Sequence, residues 1–112
     1  MTSNITSSIN NAYHAVASET ELASGEMKKI QIGDQHLLLV HAEGEFFAVD
    51  EMCSHEDYSL ALGCIQGKKI KCSLHGSYFD LESGNALIDP ADEPIQTYPV
   101  KVTEGQVWVK LI

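Results

Sequence analysis

Apolar and polar residues in this chain follow a two-residue beat far more than a helical one, and short glycine-containing turns punctuate the beat. Residues 13–17 read as a short first strand. Residues 20–23 read as a single helical turn ahead of the Ser24-Gly25 break. Met27–Ile32 alternates in part, Gly33-Asp34 supplies turn residues, and Gln35–Ala42 is the most apolar strand, so these two runs are expected to form a hairpin. Glu43-Gly44 then turns the chain into residues 45–49, completing an antiparallel meander. The C-terminal end uses the same grammar: residues 98–102, a turn at Glu104-Gly105, then residues 106–111 with aromatic and β-branched side chains. No helical period persists beyond a turn or two, and no internal repeat is evident. The expected fold class is all-β, a small sandwich or partly closed barrel whose edges pair with each other.

The length of 112 residues matches one domain and leaves no room for a second core. Residues 1–12, rich in Ser, Thr and Asn, read as a flexible N-terminal segment, and residues 13–112 as a single domain. The Asn4-Ile5-Thr6 sequon is read as a chance match. The longest aliphatic run, Leu37 to Val40, is far short of the roughly 20 residues of a membrane span. With no basic start, no apolar segment behind it and no arginine, a cytoplasmic location is expected. Seven lysines against sixteen carboxylates give a net charge of -9, which disfavours nucleic acid and anionic lipid as partners and favours a basic docking face.

Between the strand-rich ends, residues 50–90 hold all three cysteines and glycines at 63, 67, 76 and 84, and the chemistry is expected there. An odd, small number of cysteines points to metal or packing instead of a disulfide framework. Cys53-Ser54-His55 and Cys72-Ser73-Leu74-His75 each offer one thiolate and one imidazole, with sixteen residues between His55 and Cys72. A zinc finger more often pairs its cysteines in one element and its histidines in another. The interleaved order suits a two-iron centre with two thiolates on one iron and two imidazoles on the other. A structural zinc remains the alternative. Cys64 reads as a small residue in the loop returning to the core, with an exposed, oxidisable thiol as the second reading. His14, His36 and His41 fall in expected strands and read as ordinary sheet residues.

At these residues the chain resembles the Rieske family, whose pattern is C-x-H followed after about sixteen residues by C-x-x-H. The resemblance continues through Phe47-Ala48-Val49-Asp50 before the first loop. After the second it runs through His75-Gly76-Ser77, Phe79-Asp80, Ser83-Gly84, Pro90-Ala91, Pro94 and Tyr98-Pro99-Val100. It implies three stacked antiparallel sheets, with a cluster-binding subdomain at about residues 50–90. It also implies a Rieske 2Fe-2S cluster held by Cys53, His55, Cys72 and His75, with Gly76, Ser77 and Phe79 close around it. Respiratory members carry an extra cysteine in each loop, where this chain has Tyr58 and Leu74, and a tyrosine where it has Phe79. Those differences imply a potential at the low end of the Rieske range, offset in part by Ser77, which matches a serine that donates to a bridging sulfide in high-potential relatives.

The function implied is a soluble, monomeric electron carrier, itself no enzyme, which takes electrons from a flavin-dependent ferredoxin reductase. It would pass them to the terminal oxygenase of a ring-hydroxylating dioxygenase system. Asp50, Glu51, Glu56 and Asp57, with Asp89, Asp92 and Glu93, are expected to rim the tip and steer basic partners, while Lys68, Lys69 and Lys71 make the face mixed. Two other functions fit less well: a small subunit fixed to a larger redox enzyme of nitrite reductase type, and a zinc-stapled interaction module.

Overall fold

The computed structural model describes residues 13–54, 58–73, 76–87 and 93–111. Ten strands run through them: β1 (Tyr13–Ser18), β2 (Met27–Ile32), β3 (Gln35–Ala42), β4 (Glu45–Asp50), β5 (Cys64–Gln66), β6 (Lys69–Lys71), β7 (Tyr78–Asp80), β8 (Thr97–Tyr98), β9 (Val100–Thr103) and β10 (Gln106–Lys110). A three-residue 3-10 turn, Leu60–Leu62, is the only helical element among the described residues. The strands form three antiparallel sheets, ordered β1-β10-β9, β2-β3-β4-β8 and β5-β6-β7. The all-β expectation and its meander, β2-β3-β4, both hold.

The middle sheet holds the other two together through β3. Leu37, Leu38, Leu39 and Val40 are all 0% exposed, although adjacent strand residues point to opposite faces. Leu37 and Leu39 pack with Ile30, Ile32, Ala48, Val107 and Val109, closing the core shared with the sheet of β1, β9 and β10. Leu38, Val40 and Ala42 pack with Val49, Leu60, Ile70, Phe79, Leu81 and Ile95, and this second core also contains Cys53 and Cys72. Each fully buried leucine contributes about 1.5–3 kcal/mol from removal of apolar surface from water. Two hairpins turn through residue pairs with both φ positive, Glu43-Gly44 and Glu104-Gly105, the turn whose twist matches that of the strands it joins.

Two expectations are corrected. Residues 20–23 form no helical turn: the Glu21 N–H donates to the Ser18 carbonyl at 3.0 Å while a Glu21 carboxylate oxygen accepts the Ser18 N–H at 3.2 Å, and this side-chain competition makes a plain turn. The single strand expected over 98–102 is two. Pro99 has no N–H to continue a ladder, so β8 stays with β4 in the middle sheet while β9 leaves for β10.

Two contacts set the local geometry here, one inside the cysteine-bearing part and one at the edge of the middle sheet. A Cβ at Gly63 would lie 1.7 Å from the Lys71 carbonyl oxygen, so the end of the 3-10 turn can approach the end of β6 this closely only without a side chain. The Tyr98 hydroxyl donates to Asp50 Oδ1 at 2.6 Å, tying β8 to the end of β4. Burial, and then the neighbouring carboxylate, push the Tyr98 phenol well above its ordinary 10.0.

Gly63→Ala is expected to destabilise the protein by about 1–3 kcal/mol through forced separation of backbones, read as a lowered thermal midpoint. Tyr98→Phe is expected to cost about 1 kcal/mol. Because the folded protein holds the phenolic proton more tightly than the unfolded chain, this contribution is complete below the ordinary phenol value of 10.0 and declines as pH rises above it. Unfolding midpoints measured from pH 8 upward should therefore fall more steeply for the wild type than for Tyr98→Phe.

Candidate metal centre

Two loops leave the second core side by side, and the same backbone bond closes each. The Cys53 N–H donates to the Tyr58 carbonyl at 2.9 Å, and the Cys72 N–H donates to the Ser77 carbonyl at 2.7 Å. In both loops the bond runs from a cysteine to the fifth residue after it. The first loop is gripped further by a bridge between Met52 and Ser59 and by the Leu60 N–H donating to the Glu51 carbonyl at 2.7 Å. In the second, the Gly76 N–H donates to the Cys72 carbonyl at 2.9 Å.

Cys53 is 5% exposed and Cys72 1%, and neither is in a disulfide. Their surroundings, Leu60, Phe79, Leu81 and Ile95, are apolar, as suits soft thiolate donors in a site kept from water. Ser77 is buried at 1% exposure, and Phe79 is wholly buried on β7, opposite Ile70. All three residues expected beside the cluster are thus on or next to the second loop. Among the described residues no third ligand-type side chain groups with the two cysteines. His55 and His75 lie outside the described residues, as do Leu74, Glu56, Asp57, Asp89 and Asp92, the N-terminal segment 1–12 and its sequon. The described donors fit a 2Fe-2S cluster: two buried thiols at equivalent positions of twin loops, each preceding a histidine in the sequence.

Other expected residues take different roles. Cys64 is not a loop residue; it opens β5, is exposed and faces Lys71 across the ladder, so its second reading, an accessible thiol, fits its position. Asp50 and Glu51 do not form a free acidic rim. Asp50 accepts from Tyr98 and from the Gln96 N–H, while Glu51 Oε2 accepts from Ser59 Oγ at 2.7 Å and has a side chain only 12% exposed. Charge alone, which places both residues on an acidic rim, does not show that a carboxylate closes a loop. Lys68 pairs with Glu45 at 3.1 Å, and the Lys69 and Lys71 ammonium groups each lie 5.7 Å from the Tyr78 ring centroid. His14, His36 and His41 lie in strands as expected, and His41 is structural: it stacks on Phe46 at 4.0 Å, with Nδ1 2.8 Å from the Leu22 carbonyl.

Sequence reasoning missed Ser54, whose hydroxyl donates to the Glu93 carbonyl at 2.6 Å. It also missed the Asp50-Tyr98 pair. The partners are 39 and 48 residues apart, and no local pattern signals either contact.

Known proteins give the same answer as the geometry. The family model for the Rieske [2Fe-2S] domain matches residues 12–99. The ferredoxin component of the p-cumate 2,3-dioxygenase system of Pseudomonas putida is 36% identical over 91 residues, covering 80% of this chain and 77% of that protein. The ferredoxin subunit of the 3-phenylpropionate/cinnamic acid dioxygenase of Photorhabdus laumondii is 38% identical over 95 residues, covering 84% of this chain and 90% of its own. A chain in the complex of reduced oxygenase and oxidised ferredoxin of carbazole 1,9a-dioxygenase superposes with a TM-score of 0.84 at 26% identity, covering 88% of this chain and 93% of that one. With twin cysteine loops on a three-sheet fold and this match over most of its length, the chain belongs to the Rieske [2Fe-2S] domain family.

Proposed function

We propose that this protein is the ferredoxin of a ring-hydroxylating dioxygenase system, carrying single electrons from a flavin-dependent reductase to a terminal oxygenase. The observation that carries the reading is the pair of buried cysteines at equivalent points of two identically closed loops. In this reading Cys53 and Cys72 hold one iron, and His55 and His75 hold the other. When bound, the Rieske 2Fe-2S cluster supplies a one-electron carrier, and neutral imidazoles in place of two thiolates make it easier to reduce than an all-cysteine centre.

The protein's own residues hold and insulate that carrier. The second core keeps water from the thiolate side, the loop-closing bonds hold each cysteine within its loop, and the close approach of Gly63 to Lys71 brings the loops together. The chain is an electron-transfer component and not an enzyme, like the ferredoxin components it matches. The oxygenase partner is supported by the carbazole 1,9a-dioxygenase complex, in which a ferredoxin of this fold is joined to its oxygenase. A monomeric state, a cytoplasmic location and the division into a flexible segment 1–12 and one domain over 13–112 belong to the same proposal. No described helix is long and apolar enough to cross a membrane.

Purified under anaerobic conditions, the protein is expected to contain two irons and two acid-labile sulfides, with a low-temperature EPR signal on reduction. Alanine at Cys53, His55, Cys72 or His75 should abolish the chromophore. Zinc without an EPR signal, or a retained chromophore in any of the four variants, would contradict the assignment.

The Phe79 side chain offers no hydrogen-bond donor to a cysteine sulfur, and no cysteine pair braces the loops. The reduction potential is therefore expected near or modestly above about -150 mV, the low end of the Rieske range. Ser77→Ala should lower it with the cluster retained, by about 60 mV for each 1.4 kcal/mol by which the hydroxyl favours the reduced state. Protein-film voltammetry checks both values, and a wild-type potential above zero would contradict the first.

A further inference from the structure

The chain approaching β8 runs alongside the end of β4 and the start of the first cysteine loop, and two separate sets of contacts hold it there. Below the loop, the Asp50 N–H donates to the Gln96 carbonyl at 3.0 Å and Asp50 Oδ2 accepts the Gln96 N–H at 3.0 Å. Within the loop, Ser54 Oγ donates to the Glu93 carbonyl at 2.6 Å. The Glu93-Pro94 peptide has no N–H, so this carbonyl is the one hydrogen-bonding group that link offers. Between the two anchors lies Ile95, 4% exposed in the same core as Cys53 and Cys72. Its N–H donates to the Gly84 carbonyl at 2.9 Å, and a Cβ at Gly84 would stand 2.1 Å from the Ile95 carbonyl oxygen. Gly84 and Asp50 thus hold Ile95 and Gln96, and Ser54 holds Glu93 at the exposed edge of the same segment.

We propose that Ser54 is a positioning residue for electron transfer: its hydroxyl fastens Glu93, the outer end of this segment, against the first cysteine loop and so limits the access of water to the Cys53 side of the cluster. The proposal rests on the cluster assignment above. With two thiolates, two sulfides and two neutral imidazoles around two ferric ions, the oxidised centre carries no net charge, and one added electron makes it an anion. Water stabilises the anion more than the neutral form, so a dry site holds the potential down. Losing the Ser54 contact admits water and raises the potential, a change opposite in sign to that expected for Ser77→Ala. It also lets chelators reach the iron.

The test compares holo wild type with Ser54→Ala and with the near-isosteric pair Ser54→Thr and Ser54→Val. Two properties are measured: reduction potential by voltammetry, and the rate at which a chelator bleaches the visible band. Ser54→Ala and Ser54→Val are expected to bleach about fivefold faster, the factor for one net hydrogen bond, and to shift the potential positively. Ser54→Thr is expected to match wild type in both. Unchanged potential and bleaching in Ser54→Ala overturn the proposal. Should that variant not accumulate, identical behaviour of Ser54→Thr and Ser54→Val overturns it equally. A wild-type protein that holds no cluster overturns both this proposal and the cluster assignment, whereas indifferent Ser54 variants of a coloured protein overturn this proposal alone.

Discussion

Everything in this molecule leans on one strand being buried on both faces. An unbroken Leu37-Leu38-Leu39-Val40 segment would expose half its side chains if only one sheet covered it, and instead each residue is fully enclosed. Strand geometry sends alternate residues into two cores, so a single short segment holds three sheets together. One core is structural alone. The other extends to Cys53 and Cys72, which places the candidate metal centre at the margin of the best-packed part of the fold.

The loops therefore inherit their geometry from a rigid base. β4 delivers the first cysteine three residues after its last ladder position, and β6 delivers the second immediately after its own. Gly63 lets the exit of one loop touch the entry of the other, and matching cysteine N–H bonds close both loops. Both cysteines are buried against the second core directly beyond strand ends, which holds the thiol donors in place as a carrier that must give up its charge as readily as it takes it requires. Acidic side chains near the base serve construction: Asp50 and Glu51 accept hydrogen bonds that lock β8 and the first loop.

The strands were legible because alternation and turn chemistry are local. Gly33-Asp34, Glu43-Gly44 and Glu104-Gly105 each mark a real hairpin, and the boundaries of β2 and β3 fall where the pattern places them. The cysteine loops stood out through the spacing of four chemically matched residues. Contacts outside the alternation pattern were not legible: Ser54 with Glu93, Asp50 with Tyr98, and the close approach of Gly63 to Lys71. Their partners are set by tertiary packing, and Ser, Asp and Gly are common in loops for many reasons. Pro99 carried a usable signal, since a proline inside an expected strand marks a place where pairing changes. Cys64 shows the converse, because neighbouring glycines suggested a loop where a three-residue strand forms.

The central claim is that two thiolates and two imidazoles share two irons. Pulsed EPR of the reduced protein, prepared with nitrogen-15 only in its histidines, addresses it directly. The account predicts strong hyperfine coupling to two distinct histidine nitrogens. A spectrum with no histidine coupling, or with coupling to one nitrogen only, would contradict it.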